Sequence, residues 1–545
     1  MQRTIETEND DNIELSETEE NDTRQEETTK NKWEIISRLH HGQLMQTLEF
    51  EMLSRRYLDK ETNWSTDYEG EEYTDKAMNF IATIKNIGSP IHDDIPQIVN
   101  YHNLSNQQEQ ALNIIISHYL IYGTKPPLFM IIQGMAGTGK SNLIGTINEA
   151  LKNASMPNRS PLLVLVPTGV AAFNIGASTI HSRLRIPIRD FIDLQGTRLT
   201  TFQEEMAHVT YILIDEMSLI GERLLENIDA RLRQAFPSNA NENFTGDLGQ
   251  LPPVNDRPPY NSRRQAKILW EQFTTIITLD HIYQQEGQGN DQERFRQLLM
   301  NIRDAKPALD DWILLMTRSS MTIDTTTNQE FDSCVHLFST NDNVHNHNKK
   351  KLQSLKNPIA HSIASKVRNV SANESGMDDE LDVELLLLSK NARVMLTSNL
   401  WIKAGLVNEA LGNIRKIVYK LGSAPPQPPA YLLVEFDNYS GLPFDDHHTS
   451  SIPVPAIERG GSSQIPLRLA WALTIHKSQG LTLQKATIDI GPTERTGLMF
   501  VAISRMKSLQ GLRIMSPFSY DRYEKLNKGK QVVGRKREEE RLQSI

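Results

Sequence analysis

Apolar residues along this chain occur in short continuous runs that alternate with longer segments of helical spacing. The runs Phe129 to Ile132, Leu162 to Val166 and Tyr211 to Ile214 contain no polar interruption, which is typical of strands buried on both faces of a parallel sheet. The segments Asn142 to Leu151 and Leu225 to Phe236 place apolar residues at the three- and four-residue intervals of amphipathic helices. Arg231 and Arg233 of the second segment are expected to be solvated. The pattern predicts an α/β fold.

The second half of the chain continues the alternation less regularly. Strands are predicted at Thr275 to Leu279, Cys334 to Phe338 and Ala392 to Asn399, and a helix at Phe295 to Ile302. A Pro-rich stretch, 420–429, leads into a short β-rich segment. The length of 545 residues suits about three domains of ~150 residues each.

Both ends of the chain are expected to be polar. Residues 1–31 carry eleven Asp and Glu against three Lys and Arg, a net charge of -8, and have few large apolar side chains. Such a segment cannot bury enough surface to offset its ordering entropy, so a disordered acidic tail is predicted. Residues 32–101 are predicted to form a helical lead-in, and residues 519–545 a charged tail that is a solvated helix or coil.

The charge and the cysteine content restrict the class of protein. The whole chain has a formal net charge of -10, but most of it lies in the acidic tail, so a local basic groove for a polyanion is not excluded. The single cysteine, Cys334, excludes an intramolecular disulfide and a thiolate metal cage. Neither a signal peptide nor a spanning helix is indicated, so a soluble intracellular protein without membrane association is expected.

The most specific motif follows the first apolar run. Residues 134–141 read Gly-Met-Ala-Gly-Thr-Gly-Lys-Ser, the G-x-x-x-x-G-K-S pattern of a phosphate-binding loop set between a strand and a helix. Lys140 would reach the β and γ phosphates of a nucleotide, and Ser141 would ligate Mg²⁺. The alternative is a structural Gly-rich turn.

Carboxylates follow the third apolar run. Asp215 would hold the Mg²⁺ shell, and Glu216 would orient and deprotonate an attacking water. Farther along, Gln250 follows a glycine turn and could sense the γ-phosphate, although such a sequence by itself is only a Gly/Pro turn. Gln108 stands ahead of the phosphate loop, where the alternative is a solvated helix start.

Polar groups also follow the strand that ends at Val166. Pro167 and Thr168 come directly after it, and His181 and Ser182 lie a short distance beyond. Open α/β sheets bind ligands just past the carboxyl ends of their strands, although a polar loop without a ligand is the alternative.

Five sequence blocks, taken together and in order, resemble a known family. They are GMAGTGKS, ILIDEMS, GDLGQLPPV, LAWALTIHKSQGLTL and FVAISR. In this order they resemble the superfamily-one DNA helicases of the 5′-to-3′ branch, and most of all the petite-integration-frequency (PIF) helicases, including copies in fungal rolling-circle transposons. The resemblance covers about residues 100 to 515.

The resemblance implies a fold and an activity. It implies a RecA-like P-loop domain at 102–280, a second at 281–399 and 468–518, and an SH3-like β insertion at 400–467. ATP and Mg²⁺ would lie in the cleft between the two domains, and single-stranded or forked DNA would lie across them. The implied function is an ATP-dependent DNA helicase of 5′-to-3′ polarity, nuclear if eukaryotic, with family roles in telomere maintenance, recombination and repair.

It also implies residue roles. Gln108 would read adenine, and Gly134, Gly137, Thr138, Gly139, Lys140 and Ser141 would hold phosphate, with Ser141 and Asp215 on the metal. Glu216 would act on the attacking water, and Gln250 would sense the γ-phosphate. Arg505 would reach the nucleotide from the second domain. The residues implied to line the DNA path or to couple it to ATP are Pro167, Thr168, His181, Ser182, Asn399, His476, Lys477, Ser478, Gln479 and Thr482.

Three departures from the family pattern support an alternative. Gln284 stands where the family has an arginine, and Asn408-Glu409 replaces an Asn-Gly turn that suits positive φ. The apolar strand expected before Gly246 is replaced by Asn241 to Thr245, so a short, poorly formed or missing central strand and weak ATPase are expected. The alternative function is a degenerate transposon-derived copy that binds ATP or DNA without productive unwinding, and a further rival is a RecD-like subunit of a nuclease complex.

Overall fold

A computed structural model describes most of the chain from residue 53 onwards. The described residues are 53–87, 104–121, 126–135, 137–155, 161–187, 190–236, 242–246, 253, 256–280, 290–362, 365–366, 386–447, 450–459, 462–491, 497–525 and 530–544. The predicted acidic tail and the first part of the lead-in lie outside them. Among the described residues, no helix is both long enough and apolar enough to cross a bilayer.

The first domain is built on a six-stranded parallel sheet in the order β3-β2-β4-β5-β1-β6. Its strands are β1 (Met130–Gly134), β2 (Leu162–Val166), β3 (Ser178–Thr179), β4 (Tyr211–Ile214), β5 (Glu242–Gly246) and β6 (Thr275–Leu279). Alternate residues enter two cores, with Met130 and Ile132 on one face and Ile131 on the other. This period of two explains why the strands read as continuous apolar runs.

Helices cover both faces of this sheet. They are α3 (Asn106–Leu120), α4 (Lys140–Ala154), α5 (Gly169–Ile175), α6 (Ile180–Arg183), α7 (Gly196–Met206), α8 (Glu222–Ala235) and α9 (Gln265–Glu271), after α1 (Tyr57–Lys60) and α2 (Glu71–Ile87) of the lead-in. Arg231 on α8, which the sequence suggested was solvated, is 0% exposed. Its guanidinium donates to the carbonyl oxygens of Arg185 and Ile192, so it holds the 185–192 segment against α8.

The central strand that the sequence suggested was missing is present. β5 spans five residues, as β1 does, and pairs in parallel with β1 on one side and β4 on the other. The expectation of a missing strand with an unpaired neighbouring edge is therefore wrong. The physical reason is that a ladder requires only backbone N–H and C=O groups, and two neighbouring strands supply partners whatever the local propensity.

The second domain contains a four-stranded parallel sheet in the order β18-β7-β19-β20. The strands are β7 (Val335–Phe338), β18 (Ala472–Thr474), β19 (Ala486–Asp489) and β20 (Leu512–Ile514). The helices around it are α10 (Asn290–Arg303), α11 (Leu309–Met316), α12 (Thr325–Glu330), α13 (Asn341–Ser354) and α14 (Leu498–Ser504). Two parallel sheets, each in its own layer of helices, are the architecture that the sequence predicts.

A five-stranded antiparallel sheet, in the order β14-β13-β12-β11-β17, interrupts the second domain. Its strands are β11 (Arg393–Leu396), β12 (Leu411–Val418), β13 (Tyr431–Phe436), β14 (Ser451–Pro455) and β17 (Leu467–Leu469), and beside it lie the short strands β8 (Ala360–Ser362), β9 (Ser365–Lys366), β10 (Leu386–Leu388), β15 (Ile457–Arg459) and β16 (Ser462–Gln464). The sheet includes β11, so it starts before the expected insertion boundary at residue 400, because β11 pairs with β12 and β17.

The described part of the lead-in packs on this antiparallel sheet. Tyr73 and Phe80 of α2 make edge-on ring contacts with Phe444, at centroid separations of 5.4 and 5.2 Å. The Asp59 carboxylate accepts a hydrogen bond from the Ile359 backbone N–H, at 2.7 Å. The described part of the lead-in, 53–87, contains the helices α1 and α2, and these contacts join it to the second domain.

The C-terminal segment forms two helices, α15 (Tyr520–Glu524) and α16 (Lys530–Gln543). The sequence predicts a solvated tail here, but Val532, Arg535, Glu538 and Leu542 are all buried. Leu542 belongs to the apolar core of the first domain. The charged composition includes one buried face, since these four positions are spaced three or four residues apart along the helix.

Candidate nucleotide and nucleic-acid site

The phosphate loop joins β1 to α4 and depends on its glycines. Gly137 and Gly139 have φ values of 86° and 76°, the left-handed region that glycine adopts without steric cost. At Gly134, an added Cβ would lie 2.4 Å from Thr138 Oγ1, so a side chain there would fill the loop. The backbone therefore has the tight curvature that lets successive N–H groups face an anion.

Lys140 and Ser141 lie at the start of α4. Lys140 Nζ donates to the carbonyl oxygens of Gly134 and Met135, at 2.6 and 2.9 Å, so the ammonium group is folded back over the loop. Ser141 is exposed in the first turn of the helix. Cation, hydroxyl and helix N-terminus are thus together at the carboxyl end of β1, as the motif predicts.

Gln108 anchors the loop from α3. Its side chain is 1% exposed, and Nε2 donates to the carbonyl oxygens of Thr138 and Gly139, at 3.1 and 3.4 Å. Its Oε1 accepts from the Ser105 backbone N–H at 2.9 Å, which closes a capping box at the start of the helix. The amide is therefore at the nucleotide loop, and its role in reading adenine stays a prediction.

Asp215 and Glu216 follow β4, next to the phosphate loop. Asp215 is 7% exposed. Glu216 has a φ of 58°, and its Oε2 is buried without a hydrogen-bond partner among the described side chains and backbone. Burial, and next the charge of Asp215, raise the pKa of Glu216, whereas the cations of Lys140 and Arg505 oppose this shift. A carboxylate with a raised pKa in a cleft is suited to accept a proton.

Arg505 of the second domain acts on the same carboxylate through its charge. It follows α14 and is 5% exposed, and its guanidinium donates to the carbonyl oxygens of Val501 and Leu481 and to Ser504 Oγ, at 3.0, 3.3 and 2.9 Å. Burial lowers the pKa of Arg505, and the negative charge of Glu216 opposes that shift. Its own domain therefore fixes the arginine while the charge acts across the cleft.

Gln479 is a second contact across the cleft. The side chain is 6% exposed, and Nε2 lies 3.5 Å from Ser218 Oγ, two residues after Glu216. A hydrogen bond from Gln479 to Glu216 favours the charged carboxylate and lowers its pKa. Of the two roles implied for Gln479, lining the DNA path and coupling it to ATP, this position fits the second.

Several of the residues implied for DNA lie along one seam between the domains. Thr168 caps α5 by accepting from the Ala171 N–H at 3.3 Å. The Asn399 side chain lies against Gly169, where an added Cβ would be 2.3 Å from its Oδ1. On the same helix, Asn174 Nδ2 donates to the Gly480 carbonyl at 3.3 Å. The structure thus brings the 167–169, 399 and 478–480 segments together.

The remaining residues implied for DNA differ in exposure. His181 and Ser182 lie on α6 beside β3, the edge strand of the first sheet, and burial lowers the pKa of His181. His476 and Thr482 are exposed, whereas Ser478 is buried and donates to the Ile475 carbonyl at 2.8 Å. The Ser478 hydroxyl therefore has a structural role. Lys477 is half-buried, and Gln250 and Gln284 lie outside the described residues.

A family model matches the region that carries most of these motifs. Residues 103–311 match the family model described as PIF1-like helicase. The matched region contains the phosphate loop, both carboxylates and the first sheet.

Curated relatives and solved structures extend the likeness beyond that region. The chain is 28% identical over 438 residues to the ATP-dependent DNA helicase PIF1 of Danio rerio, covering 76% of this chain and 61% of the relative. It aligns with the crystal structure of Pif1 helicase from Candida albicans at a TM-score of 0.59 and 25% identity, covering 81% of this chain and 99% of that one. The crystal structure of Bacteroides Pif1 bound to ssDNA aligns at 0.54 and 25% identity, covering 77% and 93%.

These likenesses show the RecA-like P-loop fold. The chain spans about three fifths of the length of the Danio rerio relative.

Sequence reasoning missed two residues that support the site. Ser218 Oγ accepts a hydrogen bond from Gln479 Nε2 across the cleft. Asn348 on α13 donates to the carbonyls of Leu469 and Ala472, at 3.2 and 3.3 Å, and accepts from the Ala472 N–H at 2.8 Å. It therefore fixes the start of β18, the strand that leads to Gln479. A signal existed, because Asn348 stands on the buried face of α13 between Val344 and Leu352.

Proposed function

We propose that this chain is an ATP-dependent DNA helicase that moves 5′-to-3′ along single-stranded DNA and unwinds forked duplex. The observation that carries the proposal is that two residues of the second domain act at Glu216: Gln479 lies 3.5 Å from Ser218 Oγ beside it, and the charge of Arg505 opposes the rise of its pKa. Such a site is complete only when the two domains are close. Hydrolysis can therefore be coupled to opening and closing of the cleft, which is the movement that a translocating motor requires.

Each side chain has a distinct part in ATP hydrolysis. The loop N–H groups and Lys140 would hold the phosphates, and Arg505 would stabilise the negative charge that develops during phosphoryl transfer. Glu216 would orient the attacking water and take its proton, which its raised pKa favours. Gln479 would couple that carboxylate to the position of the second domain.

The residues present suit a divalent cation. Ser141 offers a hydroxyl and Asp215 a carboxylate at neighbouring strand and helix ends, and Mg²⁺ prefers such oxygen ligands. The glycine cradle at Gly134, which a Cβ would fill, leaves room for phosphate beside them. Bound there, Mg²⁺ would neutralise phosphate charge. We assign it to Ser141 and Asp215.

Single-stranded DNA would lie along the seam formed by Thr168, Asn399 and the 478–482 segment. Contacts there would be mainly to phosphates and sugars, so little sequence preference and a steep fall of affinity with salt are expected. The names of the relatives support this substrate class, since they include a Pif1 bound to ssDNA and Pif1 helicases at forked dsDNA. The formation of β5 removes the main structural argument for a degenerate copy.

The test combines ATP hydrolysis with strand displacement. ATPase rates are measured with and without single-stranded DNA, and unwinding is measured on duplexes with only a 5′ tail or only a 3′ tail. We expect DNA-stimulated hydrolysis and faster unwinding of the 5′-tailed duplex, both lost in Glu216→Gln. Hydrolysis that does not respond to DNA, or faster unwinding from the 3′ tail, would overturn the proposal.

A further inference from the structure

The C-terminal helix α16 returns to the first domain after the chain has completed the second. Its Glu538 Oε1 accepts from Trp270 Nε1 at 2.7 Å, and Trp270 is 1% exposed within α9. At Gly534 an added Cβ would lie 2.9 Å from both amide atoms of Asn261. A buried indole hydrogen bond and a close backbone approach together fix the position and rotation of α16 on the first domain.

One residue of this helix contacts both domains. Glu539 Oε1 accepts from Arg303 Nη2 at 3.1 Å and from Gln133 Nε2 at 3.4 Å. Arg303 ends α10 of the second domain, and Gln133 lies on β1, directly before Gly134 of the phosphate loop. Arg535 adds a further link by donating to the Arg303 carbonyl. The carboxylate therefore joins the second domain to the base of the nucleotide loop.

The burial of this pair distinguishes it from a surface ion pair. The side chains of Arg303 and Glu539 are 11% and 15% exposed, so water screens their attraction much less than it screens exposed pairs. Arg303 also pairs with Asp304 at 2.8 Å, and Glu539 with Arg535 at 3.8 Å. Removing one partner of the Arg303–Glu539 pair therefore leaves the other charge partly buried with only its local partner of opposite charge, which is the costly way to break such a pair. A change at Glu539 should therefore alter the arrangement of the two domains.

We propose that α16 is an interdomain strap and that Glu539 is a positioning residue, tying α10 to β1 and favouring the arrangement in which Arg505 and Gln479 face Glu216. Nucleotide binds where these elements meet, so the strap and the nucleotide stabilise the same arrangement and are thermodynamically coupled. This inference rests on the proposed nucleotide-binding function.

The test measures nucleotide affinity in the full-length chain. The dissociation constant of a fluorescent ATP analogue is determined at 25 °C for Glu539→Gln and for Glu540→Gln, an exposed neighbour on the same helix. We expect Glu539→Gln to weaken binding by roughly fivefold or more, the lower end of typical coupling between sites. We expect Glu540→Gln to match the parent.

A double-mutant cycle separates the strap from general destabilisation. Arg303→Gln should weaken binding as Glu539→Gln does, and the double variant should bind no worse than either single variant, because both remove the same pair. Arg303→Gln also tests the pair from the other domain if Glu539→Gln does not fold.

Affinity within twofold of the parent for both single variants, or losses that multiply in the double variant, would overturn the strap. If the parent chain itself binds no nucleotide, it is the proposed function that fails.

Discussion

The phosphate loop of the first domain and the facing edge of the second domain serve one cleft in different ways. In the first, one continuous stretch, 134–141, supplies the cradle, the cation and the hydroxyl, and its curvature depends on glycine conformations. In the second, Gln479 and Arg505 come from separate segments, and carbonyl groups of their own domain hold the arginine. The shape of the phosphate cradle is therefore a local feature, whereas the site for hydrolysis depends on the arrangement of the two domains. Four substitutions test this distinction.

The largest effect is expected for Arg505→Ala. Loss of the cation that faces the transition state should lower kcat for ATP by about 10³-fold or more, while nucleotide affinity changes only a few-fold. Single-turnover kinetics and equilibrium nucleotide binding check the two parts separately. A loss of affinity as large as the loss of kcat would mean that the second domain contributes to binding, and the comparison would be broken.

Lys140→Ala probes the first region. It removes the cation folded over the loop, so turnover should fall by about 10²- to 10³-fold, together with nucleotide affinity, while affinity for single-stranded DNA is retained. Lys152→Ala, at the exposed far end of the same helix, is the matched control. Parent-like hydrolysis by Lys140→Ala would show that the phosphate loop is wrongly assigned.

Gln479→Ala tests whether the second domain tunes the first. The hydrogen bond from Gln479 favours ionised Glu216, so without it the pKa of Glu216 rises further. The acid limb of the kcat–pH profile should then move to higher pH, with a loss of about tenfold or less at its plateau. Gln484→Ala, an exposed glutamine nearby, should leave the profile unchanged. An unshifted acid limb in Gln479→Ala would contradict the contact.

The smallest effect concerns Glu409, which stands where the family has glycine. It has a φ of 75°, so Glu409→Gly should stabilise the fold by about 1 kcal/mol. Burial raises the pKa of Glu409 to about 7, while Lys477 and Arg468 oppose this. The folded state thus holds a proton that the unfolded state has released, and stability should fall as pH rises from about 4.5 to about 7.

Glu409→Gln keeps the strained backbone and should lose only this pH dependence. Urea unfolding of the three proteins across that pH range separates strain from charge. A parent whose stability does not fall over the range would contradict the buried carboxylate. Such a result would mean that the charge of the Glu409 carboxylate does not lower the stability of the folded protein.

Part of the predicted site consists of residues that are contiguous or adjacent in sequence. The phosphate loop and the Asp215-Glu216 pair could be assigned from strand and helix context alone, since their geometry follows from local backbone. Arg505 and Gln479 were implied only by the family motifs, and their meeting with Glu216 involves chain separations of more than 250 residues. Sequence patterns do not encode which segments face each other across such distances.

Three expectations differ from the tertiary structure for related reasons. β5 formed from a polar segment because strands on both sides complete its ladder. Arg231 is buried because its guanidinium donates hydrogen bonds to the carbonyl oxygens of Arg185 and Ile192. In α16, the buried Glu538 carboxylate accepts a hydrogen bond from the Trp270 indole N–H. In each case, partners distant in sequence satisfied polar groups that composition alone assigns to solvent.

The sequence by itself determined the alternation of strands and helices, the glycine geometry of the phosphate loop and the positions of its cation and carboxylates. These depend on interactions within a few residues, whose spacing can be read directly. The tertiary structure decided which strand became central, which charged helix joined the two domains, and which side chains of the second domain face Glu216. Those outcomes depend on burial and hydrogen bonding between segments far apart in the chain, and only the folded arrangement brings these segments into contact.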